Sequence, residues 1–304
     1  MKLGIMTGAI PDPEATIDGF IELARDVERR GFASLWMANT RGHDAVTAMA
    51  IAGRETSKIE VGTAVTPIQP RHPAALAQQA LSASALARGR FTLGIGLSHK
   101  IVIEGSLGLS YAQPAKTMRE YLQILAPLLR GEGAAFSGDL YSSKIEIMMN
   151  AAVMPVPLIV AALGPMMLDL AGRYSDGTVL WMTGPRTIGQ HVVPGIGAGA
   201  KAAGRPAPRI IAGFPVVLSN KPDETRGKVS EILQVYGQLP SYRAMMDREG
   251  AATPGDIALV GDAAALDAAI SQVQEAGATE MISVLLETEP GAKDRTLDYL
   301  QGRL

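Results

Sequence analysis

Two periods of apolar spacing alternate along this chain. Short, almost continuously apolar runs recur eight times: Lys2–Met6, Ala33–Met37, Ile59–Val65, Phe91–Leu97, Pro157–Leu163, Gly177–Met182, Arg209–Leu218 and Glu280–Leu286. Such runs read as strands buried on both faces. Between them the apolar residues return every three or four positions, the spacing of a helix with one buried stripe. From Pro13 onward, Ile17, Phe20, Ile21, Ala24 and Val27 keep that spacing until Gly31 stops it. Further helices are predicted over Asp44–Thr56, with Asp44 as N-cap, and over Pro73–Leu86. Over Pro114–Leu129, Met118, Tyr121, Leu122, Leu125 and Leu129 form one stripe.

After Gly131 the pattern is interrupted by Ala134–Met149, which reads as an inserted hairpin turning at Gly138–Asp139. Helices then follow the remaining strands over Met166–Tyr174, Thr187–Ala203, Pro222–Tyr236, Asp262–Ala276 and Lys293–Leu300. A polar loop separates the Pro222 and Asp262 helices. Strands alternating with helices of this length build right-handed βαβ units around a parallel sheet. Eight units favour an α/β fold of the (β/α)8 TIM barrel type, with the insertion after its fourth strand. An open doubly wound sheet is the alternative. No interdomain linker interrupts residues 1–304, so a single barrel domain is expected.

Composition narrows the function classes. The chain has 304 residues, a net charge of −2 and no cysteine. The weak net charge gives nucleic-acid binding no electrostatic footing. Disulfides, thiol nucleophiles and cysteine–zinc sites are excluded by composition. No apolar run reaches membrane-spanning length, and the N-terminal run is broken by Gly4, Thr7, Gly8 and Pro11. A soluble, cytoplasmic protein without membrane or nucleic-acid partners is the expectation.

In a barrel the site lies on the loops after the strands. Those loops are Thr7–Gly8, Asn39–His43, Ala64–Pro73, Leu97–Gly108, Leu163–Met166, Met182–Pro185 and the segment after Leu218. They hold His43, His72 and His99, three of the four histidines, whereas His191 falls inside a helix and reads as structural. "GIGLSH" at Gly94 and "GIGAGA" at Gly195 each hold a GxG pair, but neither completes GxGxxG in a strand-to-helix context. GxSxG and HExxH are absent, and the histidines lack a metal-pair spacing, so no metal site is assigned. "AALGPMM", Ala161–Met167, reads as a strand end, a tight turn at Gly164 and a helix opened by Pro165. Free amides at that helix start suit a phosphate.

Four stretches together carry a family resemblance: "ELARDVERRGFASLWMAN", "VGTAVTPIQPRHP", "GRFTLGIGLSHK" and "VAALGPMMLDLAGRYSDGTVLWMTGP". With "YGQLPSYRAMMDREGA" they resemble the bacterial luciferase-like superfamily, within it the oxidoreductases that use the deazaflavin coenzyme F420. The resemblance covers nearly the whole chain and implies the same (β/α)8 barrel. It also implies a non-prolyl cis peptide between Ala64 and Val65, behind the central ring of the coenzyme. Pro67, Pro70 and Pro73 then stiffen that support, and Arg71 and His72 are scaffold.

By the same resemblance the coenzyme phosphate belongs at Ala162–Met167, on the amides of Leu163, Gly164, Met166 and Met167 beside Pro165. Asn39 is placed at the polar edge of the ring, and Ser98 and His99 also against the coenzyme. Thr40 stands where some members carry a catalytic histidine, and Leu97 where some carry a glutamate. The proton donor therefore does not carry over, and His43 and His99 are the local candidates, each expected near the ordinary histidine pKa, with His99 favoured because its position directly after the fourth strand fixes it better than the loop fixes His43. Thr7, Thr40, Leu97, Trp181 and Met182 are expected to line the substrate pocket, while Trp36 belongs to the core. The implied activity is hydride transfer between C5 of the deazaflavin and a small organic substrate, in a homodimer. Three rivals remain: an FMN monooxygenase of the same fold, a non-redox barrel lyase, and a non-catalytic flavin-binding homologue.

Overall fold

The apolar runs become parallel strands in the computed structural model, which describes residues 1–149 and 155–304. They are β1 (Lys2–Thr7), β2 (Ser34–Met37), β3 (Glu60–Thr63), β4 (Phe91–Gly96), β5 (Leu158–Val160), β6 (Gly177–Trp181), β7 (Arg209–Leu218) and β8 (Glu280–Leu285). Each pairs with the next, β6 with β7 and β7 with β8 included. Lys2 opposite Glu280 pairs β8 with β1 and closes the ring. The fold is therefore a TIM barrel of eight parallel strands flanked by helices, not an open sheet.

Several helices form where the spacing predicts them. Asp44 caps Ala45–Glu55 by accepting from the Thr47 amide, and Pro73–Leu86 and Pro114–Leu129 keep their predicted bounds. Ala134–Ser137 pairs antiparallel with Ser142–Ile145 outside the barrel sheet. Buried Glu120 pins this hairpin by accepting from the amides of Leu140 at 2.8 Å and Tyr141 at 3.1 Å.

Other expectations need correction. The first helix starts at Ile17, not Pro13, because the Thr16 hydroxyl accepts from the Gly19 amide and sets the cap there. The predicted Thr187–Ala203 helix runs as Pro185–Thr187, a π turn over Ile188–Val192, and Val193–Ala202. Pro194 has no N–H to give to the preceding turn, which relaxes to the wider π form. The Pro222 helix ends at Ile232. The rest of the predicted helix and the polar loop beyond it fold into Gln234–Gln238, Pro240–Glu249, Pro254–Ile257 and the short strand Leu259–Gly261, which pairs with the end of β7. Within Pro240–Glu249 only Met245 and Met246 are buried, too few to show a helical period. A further short helix, Lys100–Gly105, follows β4 and buries only Ile103.

The N-terminal end of the barrel is closed by a polar network. Arg209 donates to Glu60 at 2.8 and 3.0 Å and to Glu280 at 2.9 Å. Trp36 Nε1 donates to Glu280 at 2.9 Å, and the Ser34 hydroxyl donates to the same carboxylate. Ser34, Glu60, Arg209 and Glu280 are all first residues of strands. Trp36 is fully buried, as expected for the core. Among the described residues no helix is long and apolar enough to cross a membrane.

Candidate active site

The loops at the opposite, C-terminal end are bound to one another. Thr40 Oγ1 donates to the Gly8 carbonyl at 2.9 Å, joining the loops after β2 and β1. Asn39 Oδ1 accepts from the Ala45 amide at 3.0 Å, so the residue assigned to the ring edge also caps a helix; its amide NH2 is the group left for a ligand. The cap Asp44 pairs with Arg71 in the loop after β3. Beside them His43 is half-buried, and its Nε2 is buried without a hydrogen-bond partner among the described residues.

The Ala64–Val65 peptide bond is cis. The "GIG" of β4 makes room for this segment. A Cβ on Gly94 would lie 1.8 Å from the Thr63 carbonyl oxygen, and one on Gly96 would lie 2.6 Å from a Val65 methyl. The Thr63 hydroxyl, in turn, donates to the Gly94 carbonyl at 2.7 Å. These glycines thus serve strand-to-strand approach. His72 Nδ1 accepts from the Ala74 amide at 3.3 Å and caps a helix, and Tyr121 OH donates to the Arg71 carbonyl at 3.1 Å.

After β4, Ser98 has φ +56°, and at the end of β6 Met182 has φ +54°. Non-glycine residues in the left-handed region are strained and gather at functional sites. Gln69 Nε2 donates to the Leu97 carbonyl at 2.8 Å, and Tyr111 OH to the Ser98 carbonyl at 3.3 Å. Burial pushes the His99 imidazole below its ordinary pKa. This corrects the expectation of a histidine near its unperturbed value: the neutral ring is the resting form at pH 7.

The turn after β5 departs from its expected reason. Gly164 has φ −83° and ψ 158°, which any residue adopts, so no tight turn requires glycine here. What glycine provides is space, because a Cβ there would meet nothing within 4 Å among the described residues. Among the described residues no side chain caps the helix Pro165–Tyr174, whose first-turn amides have no intrahelical acceptor. The chain contains a second Gly-Pro helix start for comparison. At Gly184–Pro185 the Glu249 carboxylate accepts from the amides of Arg186 at 3.1 Å and Thr187 at 2.7 Å, and from the Thr187 hydroxyl at 2.7 Å. One start is filled by the protein's own anion and the other is left open.

A roof crosses this end of the barrel, built from Tyr236 at the end of the predicted Pro222–Tyr236 helix and from Tyr242 in the segment expected to be a polar loop. Tyr242 lies 5.6 Å from His99 between ring centres, Tyr236 5.1 Å from Tyr242, and Trp181 5.9 Å from Tyr236. Tyr236 OH donates to the Ala9 carbonyl at 3.4 Å. The row thus links the loops after β1 and β4 to the end of β6. Trp181 is buried in it, Met182 is fully buried beside it, Thr7 and Leu97 are half-buried, and Thr40 is exposed. Ala162 is buried, Leu163 and Met167 are half-buried, and Pro165 and Met166 are exposed at the open helix start. Glu249, which ties the roof to the loop after β6, leaves no sequence signal, since its partners lie 62 and 63 residues away.

A family model described as luciferase-like monooxygenase matches residues 1–282. The chain belongs to that family. Among its luciferase-like relatives, a 5,10-methylenetetrahydromethanopterin reductase of Methanolobus tindarius is 28% identical over 79% of this chain and 72% of its own. An F420-dependent hydroxymycolic acid dehydrogenase of Mycobacterium tuberculosis is 31% identical over 62% of this chain and 55% of its own. In fold, the luciferase-like barrel superposes on the coenzyme F420 dependent tetrahydromethanopterin reductase of Methanopyrus kandleri with a TM-score of 0.82 and 19% identity. That match covers 99% of this chain and 97% of the other.

Proposed function

We propose that this protein is an F420-dependent oxidoreductase transferring a hydride between C5 of the deazaflavin and a small organic substrate. The substrate class is an activated C=C, C=N or C=O bond, or the corresponding alcohol. Family membership and the F420-dependent relatives support this reading. The observation that carries it is the open helix start at Gly164–Pro165, beside its Glu249-filled counterpart. Backbone amides at a helix start bind phosphate through their unpaired N–H groups and the helix dipole.

The bound coenzyme would supply a two-electron hydride carrier. This chain's residues would do the rest. The amides of Leu163, Gly164, Met166 and Met167 hold the phosphate, and Ala64–Val65, backed by Gly94 and Gly96, supports the ring. Asn39 directs its NH2 to the ring edge. The roof of Tyr236 and Tyr242 keeps water from the reacting carbon. His99, neutral at pH 7, accepts the substrate proton in the oxidation direction and returns it in reduction. His43, with its unpartnered Nε2, orients the substrate.

Titration of the purified protein with oxidised and reduced F420 and with FMN tests the proposal. F420 binding with hydride transfer to a substrate supports it. Tight binding of FMN alone, with oxygen consumption, would establish instead the monooxygenase chemistry in the family's description. Binding of neither would favour a non-redox barrel enzyme. The homodimer implied by the resemblance remains part of the proposal, and a solution mass of one chain refutes it.

A further inference from the structure

The turn after β5 is held from behind by a histidine that the mechanism above does not use. His191 Nε2 lies 2.7 Å from the Leu163 carbonyl oxygen. A carbonyl oxygen only accepts, so Nε2 carries the hydrogen and donates it. His191 sits in the π turn Ile188–Val192, and such turns recur at functional sites.

Backbone packing brings this turn to Leu163. A Cβ on Gly172 would lie 2.3 Å from the Ile196 carbonyl oxygen, and one on Gly199 would lie 2.6 Å from the Asp169 carbonyl oxygen. The "GIGAGA" stretch therefore lets the helices Pro165–Tyr174 and Val193–Ala202 meet at backbone distance. That contact carries His191 to the turn that opens the first of them.

We propose that His191 is a positioning residue that aims the Gly164 amide at the anion. The proposal rests on the assignment of a phosphate to this turn. The Leu163–Gly164 peptide is trans, so its N–H points opposite to its C=O. With the carbonyl tied to His191, the Gly164 N–H faces away from that ring. Rotation of this peptide would break the hydrogen bond and turn the carbonyl oxygen toward the phosphate, where it repels. His191 therefore acts through the turn and touches neither the reacting carbon nor the ring.

The test uses ligand pairs with and without the phosphate: FMN against riboflavin, which differ by the phosphate alone, and F420 against its deazariboflavin core, which lacks the phosphate together with the lactyl-glutamyl tail it carries. Dissociation constants are read by fluorescence titration of the wild type and of His191→Leu, His191→Asn and His191→Gln. The expected result is that Leu and Asn weaken the phosphate-bearing ligand about fivefold to tenfold, the worth of one hydrogen bond, and leave its phosphate-free partner unchanged. Gln, whose Nε2–H has a similar reach, restores the affinity. The KM for coenzyme rises while kcat at saturating coenzyme holds. Thermal unfolding checks each variant, and Asn, which keeps a polar side chain, serves if Leu folds poorly. Equal weakening of both partners, or no weakening of the phosphate-bearing one, overturns the proposal while leaving the coenzyme assignment intact. A wild type that binds a phosphate-bearing ligand no better than its phosphate-free partner overturns the phosphate assignment and the role of His191 with it.

Discussion

Gly94 and Gly164 are both glycines near strand ends, with opposite surroundings. At Gly94 a Cβ would sit 1.8 Å from backbone, whereas at Gly164 it would meet nothing within 4 Å. Gly94→Ala is therefore expected to destabilise the barrel by about 1–3 kcal/mol through overpacking, read as a lower urea midpoint. Gly164→Val should unfold at the wild-type midpoint yet bind the phosphate-bearing coenzyme at least about tenfold more weakly, or about 1.4 kcal/mol. Unchanged affinity in that variant would remove the phosphate from this turn. His99 gives the pH prediction. Its pKa is lowered by burial, so in the oxidation direction kcat/KM should be flat above neutral pH. It should fall only as pH drops through the lowered value, where the ring becomes charged and cannot accept a proton. His99→Ala should lower kcat about 10²–10⁴-fold and abolish that acidic limb. Persistence of the limb in the variant would assign the titration to another group.

At the level of elements, two Gly-Pro helix starts differ by what fills them. Glu249 joins the roof to the start at Pro185 through three hydrogen bonds. Glu249→Ala should cost about 0.5–2 kcal/mol, the worth of a helix cap, and free the roof from the loop after β6. The expected readout is a lower melting temperature and a raised substrate KM, with the coenzyme dissociation constant unchanged. A KM at the wild-type value would show that the roof is held by its aromatic row alone. Both helix starts are visible in the sequence as Gly-Pro after an apolar run. Which of them is free for a ligand is not, because the filling carboxylate comes from a distant helix with few buried apolar residues.

At the level of the whole molecule, the barrel is divided end to end. Its N-terminal end is tied by Arg209, Glu60 and Glu280, and its C-terminal end carries the candidate site. Arg209→Met would leave the buried Glu280 carboxylate without its cationic partner. Removing one partner of a buried pair typically costs about 3–5 kcal/mol. Chemical denaturation should show a loss of that order, while coenzyme affinity measured under native conditions stays at the wild-type value. A loss confined to coenzyme binding would contradict this division of labour.

The sequence by itself determined the eight strands, most of the helices between them, the hairpin insertion and the loops where chemistry gathers. These follow from local causes: apolar period, capping side chains such as Asp44, and prolines at helix starts, all acting within a few residues. It also singled out Ala64–Val65 and the Gly164 turn through a family resemblance. Tertiary structure alone decided that β8 returns to β1, that Gly94 and Gly199 serve backbone contact, and that a polar stretch becomes the roof. It alone lowered the His99 pKa by burial and set His191 against Leu163. Burial, close approach and hydrogen bonds between distant residues depend on where other segments lie, and no local period records that.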